Sequence, residues 1–188
     1  MKALSLWQPW ASLIAVGAKR YETRSWQTPY RGPLLICAAA RKVTLDDLDL
    51  CNTASFLRAL APLNLPTRAM SLGWFPRSTV VDARELPRGV ALCLADLTAC
   101  YLIDGETHDE TGEAGGHPCL RGQGGVVIPM ADFFGELNFG NFSPGRFAWR
   151  LDNVRPLTTP IPIKGQQGLF DVFPDVQREV YSQLEKNP

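Results

Sequence analysis

The sequence predicts a small α+β domain of short, mixed strands in a curled or barrel-like sheet, with short helices as plugs. Three observations predict it. Fifteen Pro and 16 Gly in 188 residues break the chain too often for a helical bundle. Several segments alternate large and polar residues with the period of two that a strand imposes. The apolar fraction, 45%, supports one buried core, and the turn density favours a curled sheet over a doubly wound parallel one.

Taken in order, residues 9–16 read as a short helix: Pro9 suits its first turn, Leu13 and Val16 share a face, and Gly17 is a C-terminal stop. "YETRSW" (21–26) alternates as a strand does, so Glu22 and Arg24 point to one side of it. After a turn at 29–33, "LLICAAA" is a continuous apolar run that suits a buried strand. Thr44 and Asp47 form a capping-box variant opening a helix that carries Leu45, Leu48, Leu57 and Leu60. Residues 62–87 read as largely irregular, and 89–103 as a long strand.

The segment 104–125 is rich in Gly and acids and poor in apolar side chains, so a surface loop or lid is expected there. "FAWRLDNVRPL" (147–157) is another strand, with Phe147, Trp149 and Leu151 on one face and Arg150 and Asp152 on the other. "FPDVQREVYSQLEK" is an amphipathic helix. The expected organisation is one domain over 1–172 with an insertion at about 104–125, followed by a C-terminal helix at 173–188.

No stretch of about 18 apolar residues predicts a membrane span. Gln8-Pro9 interrupts the apolar start, and no small-residue cleavage site follows it, which argues against a signal peptide. The five cysteines (Cys37, Cys51, Cys93, Cys100, Cys119) include no C-x-x-C pair and suit reduced thiols in a cytoplasm. Net charge is zero, which argues against a generic polyanion coat. It is unevenly spread, however: residues 1–42 hold seven Lys or Arg against one acid, Glu22. That imbalance leaves room for one local anion-binding face.

The chemistry-bearing constellation is Lys19, Glu22 and Arg24. On a strand, Glu22 and Arg24 share a face about 7 Å apart, and Lys19 approaches from the preceding turn. Two readings are open. One is a surface ion-pair network worth ~0–1 kcal/mol per pair. The other is an electrostatic clamp, or a lysine activated by burial. Trp7, Trp10, Trp26 and Tyr30 flank the cluster, and aromatic faces beside Arg and Lys suit a stacked base and its phosphate. The alternative is that the tryptophans fill the core.

"LSLWQPWASLIAVGAKRYETRSWQTPYRGPLLICAAA" resembles the start of the ASCH family, a PUA-like branch tied to RNA. Gly17, Lys19, Glu22 and Arg24 meet its G-x-K-x-x-E-x-R motif in full, and "SPGRFAWRLDNVRPLTTPIPIKGQQGLFDV" (143–172) resembles its closing strands. The resemblance implies a PUA-like β-barrel with helices plugging its openings and a cleft lined by the motif. It implies binding of RNA or a modified nucleotide through Trp7, Gln8, Lys19, Glu22, Arg24, Trp26, Tyr30, Arg31, Lys164, Gln166 and Gln167.

A rival reading is hydrolytic, either an N4-acetylcytidine-type amidohydrolase or a single-stranded RNA nuclease, with Lys19 and Glu22 as catalytic residues. Only Lys19 carries over to the amidohydrolase branch, because Glu22 stands where that branch uses threonine. Cys37 occupies a strand position where relatives read histidine, and is expected to be an inert core residue. His108, Asp109, Glu110, His117 and Cys119 lack recognised ligand spacing, so neither a metal nor a cofactor is expected.

Overall fold

The computed structural model describes residues 1–70, 78–105 and 118–186. Its elements in chain order are β1 (Lys2–Leu6), α1 (Trp10–Ala15), β2 (Tyr21–Arg24), β3 (Gly32–Ala38), α2 (Leu45–Cys51), α3 (Ala54–Leu60), β4 (Thr67–Met70), β5 (Ser78–Val81), β6 (Val90–Asp104), β7 (Cys119–Arg121), β8 (Val127–Ile128), β9 (Phe147–Pro162), β10 (Leu169–Asp171) and α4 (Pro174–Lys186). Eight strands form one mixed sheet in the order β10-β1-β3-β6-β7-β8, with β9 pairing β2 and β6; β4 and β5 make a separate two-stranded sheet. The fold is therefore α+β around a large mixed sheet, as the strand periodicity predicts. Among the described residues, no helix is long and apolar enough to cross a membrane.

The chain divides into two compact units. The first comprises Met1–Ala18, Leu34–Leu94 and Val154–Pro188. In it β1 runs parallel to β3 and antiparallel to β10. Ala3, Leu35, Cys37, Ala91, Leu94, Ile161, Phe170 and Val180 form its core. Val176, Val180 and Leu184 lie four apart on α4 and pack on that core, so the amphipathic pattern of the C-terminal helix is realised. Gln183 completes the docking: its amide accepts from Thr159 N at 3.0 Å and donates to Thr159 O at 3.1 Å, much as a neighbouring strand would.

Local signals explain several boundaries. Gly17 adopts φ +76°, and the amides of Gly17 and Ala18 donate to Ile14 O and Leu13 O at 2.9 Å each. This is a Schellman closure, which needs a left-handed residue at that position. Thr44 and Asp47 form the reciprocal capping box. The expected single helix after Thr44 is two, because the chain leaves the helical conformation at Asn52–Thr53, and the extended Thr53 stands at the N-terminal end of α3 without a side-chain capping bond. Leu48 and Leu60 are buried, whereas Leu45 and Leu57 are exposed.

The described residues of 62–87 are more regular than the Pro content suggests, since they include the antiparallel β4–β5 pair and a 3-10 turn at Ala83–Glu85. Residues 71–77 and most of the expected loop, 106–117, lie outside the described residues, and His108, Asp109, Glu110 and His117 with them. The end of that segment belongs to the sheet: β7 buries Cys119 and Leu120.

All five cysteines are buried thiols outside any disulfide. Burial pushes the Cys37 thiol up to about 12, as suits an inert core residue.

Asp82 is a second charge-bearing anchor of this unit. Its carboxylate, 1% exposed, meets Arg84 Nε at 2.7 Å and Arg68 Nε at 2.6 Å. The Arg84 hydrogen bond is the main force holding it below the usual carboxylate range. A group depressed in the folded state stabilises the fold above its unfolded value, ~3.9. That stability is lost as pH falls through the folded value. Urea melts across the acid range are expected to show a flatter decline in Asp82→Asn than in the parent.

Candidate functional site

The second unit comprises Lys19–Pro33 and Ala95–Asn153. Its core joins Tyr21, Ile103, Leu120, Phe133, Phe142 and Ala148. β2 pairs antiparallel with β9 in the register Tyr21↔Arg150, Glu22↔Trp149, Thr23↔Ala148 and Arg24↔Phe147. Directly paired residues project to the same side of a sheet, so Glu22, Arg24, Trp149 and Phe147 share one face. Tyr21 and Thr23 face the other way, and Tyr21 enters the core.

Lys19 is the deepest member of the motif, at 1% exposure. Its Nζ donates to Tyr21 O at 2.5 Å and to Phe139 O at 2.8 Å, and lies 3.4 Å from Glu22 Oε2. An ammonium has three donors, and each of them faces an acceptor of the protein. Burial pulls Lys19 below its ordinary range, while Glu22 and then Glu136 pull the other way. Glu22, also buried, turns its other oxygen to Arg24: Oε1 and Arg24 Nε are 3.1 Å apart. The motif thus forms a row of cation, anion and cation with a net charge of +1.

The approach of Arg24 Nε to Glu22 is an ion pair without hydrogen-bond alignment, which leaves that buried N–H with no acceptor. Trp149 Nε1, on the same strand pair, is a second buried donor with no acceptor. Trp26 packs edge-on against Trp149 with ring centroids 4.6 Å apart, while keeping 37% of its surface exposed. Chemically, the face offers a guanidinium aimed by a buried carboxylate, an exposed indole, and donors that lack acceptors.

Glu136 is the residue that sequence reasoning missed. It lies in a 3-10 helix, Phe134–Phe139, and is 4% exposed. Its Oε2 accepts from the backbone N–H of Arg20 (2.8 Å) and of Tyr21 (3.0 Å), and its Oε1 from Arg20 Nε (2.9 Å). The same helix ends at Phe139, whose carbonyl takes Lys19. Residues 19–21 and 134–139 are therefore latched in both directions, side chain to backbone each way. Gly140 permits the close approach, because a Cβ there would meet Thr23 Oγ1 and Cγ2 at 3.0 Å. One sequence signal was present: a lone acid among Phe133, Phe134, Leu137 and Phe139 must find partners if those neighbours are buried.

The remaining expected site residues fall elsewhere. Tyr30 and Arg31 belong to this unit but spend their polar groups on their own turn. Tyr30 Oη donates to Pro33 O at 2.5 Å, and Arg31 Nη1 donates to Thr28 O at 2.9 Å and Tyr30 O at 2.7 Å. Trp7, Gln8, Lys164, Gln166 and Gln167 belong to the first unit. Gln8 is buried with both amide ends engaged, donating to Pro87 O at 2.7 Å and accepting from Ser12 N at 3.2 Å. Trp7 is exposed, with the Arg41 guanidinium 4.2 Å from its ring centroid. Lys164, Gln166 and Gln167 are exposed on a turn whose Gly165 allows close approach to Ser5: a Cβ there would sit 2.3 Å from Ser5 Oγ.

A 39-residue stretch is 62% identical to activating signal cointegrator 1 of Homo sapiens and 56% identical to that of Mus musculus. It represents 21% of this chain and only 7% of the length of either relative. Among solved structures, an ASCH protein from Zymomonas mobilis aligns over 96% of this chain and 93% of its own, with a TM-score of 0.46 and 15% identity. The ASCH domain pattern itself matches residues 4–158, which include the whole Lys19–Glu22–Arg24 row, its Glu136 latch and most of β9. With most of its length so matched, the chain belongs to the ASCH family.

Proposed function

We propose that this ASCH protein binds RNA or a modified nucleotide on the Arg24–Trp26 face, with Lys19 and Glu22 as positioning residues rather than reacting groups. The observation that carries the reading is the saturation of Lys19. An ammonium that is 1% exposed, with its three donors directed at Tyr21 O, Phe139 O and Glu22, has no lone pair or free donor to offer a substrate. What the row presents outward is the exposed part of Arg24, its charge not fully neutralised, two residues from the part-exposed Trp26 indole. A phosphate or base carbonyl can meet that exposed part of the guanidinium, and a base can stack on Trp26. The PUA-like barrel with helices in its openings is part of this reading, as is a cytoplasmic setting.

Fluorescence anisotropy with a labelled single-stranded RNA tests it. Arg24→Ala is expected to weaken binding about tenfold or more, since hydrogen bonds to charged groups contribute about 1.5–3 kcal/mol. The same change should reduce the dependence of log K on log salt by about 0.7, the value of one lost contact to a single strand. Trp26→Ala should weaken binding with the salt dependence unchanged. Incubation with N4-acetylcytidine is expected to give no deacylation. Turnover abolished by a Lys19 variant that retains its fold would overturn the binding reading in favour of the hydrolase.

A further inference from the structure

We infer that the first unit carries a second, separate contact for single-stranded nucleic acid, built on Trp7, Lys42 and Arg88. It accounts for positive charge in residues 1–42 that the Lys19 row does not use. Trp7 is 56% exposed. The ring is not loose. Arg41 lies over it at 4.2 Å, and Arg41 is itself fixed by Asp47 Oδ2 at 2.7 Å, the same buried carboxylate that closes the α2 capping box. Below the ring the chain is pinned again, because the neighbouring Gln8 donates to Pro87 O. The indole is thus held in place with one face on a guanidinium, an orientation that leaves the other face for a flat partner.

Both pins lead to free cations. Lys42 follows Arg41 in the chain, and Arg88 follows Pro87. Lys42, Arg84, Glu85, Pro87 and Arg88 line an open depression of about 510 Å³, within the size range of small-ligand clefts. The acids here are already spoken for: Asp82 takes Arg84 and Arg68, and Glu85 takes Arg68 at 3.4 Å. Lys42 and Arg88 are exposed and have no acidic partner among the described residues. An indole fixed by Arg41, with an uncompensated cation next in the chain to Arg41 and another next to Pro87, matches the chemistry of a base with its adjoining phosphates. An acidic peptide would satisfy the cations but leave the indole uncovered.

The test is binding of a labelled short oligouridylate to the full chain, measured as a salt series. Lys42→Glu combined with Arg88→Glu is expected to lower affinity and to reduce the salt slope by about 1.4, two single-strand contacts at ~0.7 each. Trp7→Ala should weaken binding about tenfold without altering the slope, and Trp7→Phe should behave like the parent. All three positions are exposed, and a near-UV circular dichroism spectrum matching the parent's checks the fold. Parent-like binding in both the charge-reversal and Trp7→Ala proteins overturns the inference; if Arg24→Ala still loses affinity, the proposed nucleotide face survives it. Loss confined to the Trp7, Lys42 and Arg88 variants upholds the inference and removes the Arg24 face. Polyglutamate competing as well as RNA, with Trp7→Ala silent, reduces the region to a plain anion patch and also overturns it.

Discussion

Lys19→Met is expected to destabilise the protein by about 3–5 kcal/mol in urea unfolding, the range for removing one partner from a buried charge pair. Met nearly matches the lysine in length, so the volume is conserved and the loss isolates the ammonium. Three groups are then left without it. Tyr21 O and Phe139 O each lose the lysine donor, and a buried carbonyl that loses its donor costs roughly 1–3 kcal/mol. Glu22 keeps Arg24 alone, in an approach that lacks hydrogen-bond alignment. Gains from burying an apolar side chain offset part of this, about 1.5–3 kcal/mol. Lys19→Ala should cost more, because a cavity is added to the same losses. If Lys19→Met unfolds at the parent's urea midpoint yet no longer binds RNA, the lysine is a ligand contact and the latch argument fails. The practical consequence concerns any activity assay: a Lys19 variant that loses function says nothing about catalysis until its stability is known.

This result turns on how the motif divides its labour. Gly17 closes α1 through a left-handed turn, and two residues later Lys19 enters the interior of the second unit. The odd spacing of Glu22 from Lys19 lets the carboxylate face the ammonium with one oxygen and Arg24 with the other. Exposure rises along the row, from 1% for the Lys19 side chain through 10% for Glu22 to 27% for Arg24. Only the last group is placed to meet a ligand, and the first two determine where it points.

Part of this was legible in the sequence. The strand period set Glu22 and Arg24 on one face, Gly17 marked the helix end, and Thr44 with Asp47 announced a capping box. Each of these signals is local, carried by residues within four positions of one another. The partners of Lys19 were not legible, because two of them are main-chain carbonyls, which every residue type supplies. Phe139 is 120 positions away from Lys19, and nothing in its side chain advertises that its carbonyl will be taken. The β4–β5 pair was hidden for a related reason: a stretch rich in turn formers reads as irregular until its two strands pair. Gln8 is the opposite case. An amide beside two tryptophans suggested base recognition, but α1 and Pro87 consume both its ends.

Glu136 extends the latch argument to a residue with no place in the motif. Glu136→Ala is expected to cost about 2–4 kcal/mol, since it strips the acceptor from two backbone N–H groups, of which that of Tyr21 is buried, and from the Arg20 side chain. Glu136→Gln should cost only about 1 kcal/mol, because one amide oxygen can still take both backbone N–H groups and only the Arg20 pair is lost. The informative measurement is the cycle with Lys19→Met. Lys19 and Glu136 both tie residues 134–139 to residues 19–21, so once one tie is cut the other holds a segment already loosened. The double variant is therefore expected to be less destabilised than the sum of the singles, with a coupling of about 0.5–3 kcal/mol. Additive losses would mean that the two side chains act on independent parts of the second unit. Coupled losses accompanied by weaker RNA binding in Glu136→Ala, a residue with no exposed polar atom to offer a ligand, would tie the geometry of the Arg24 face to the latch behind it.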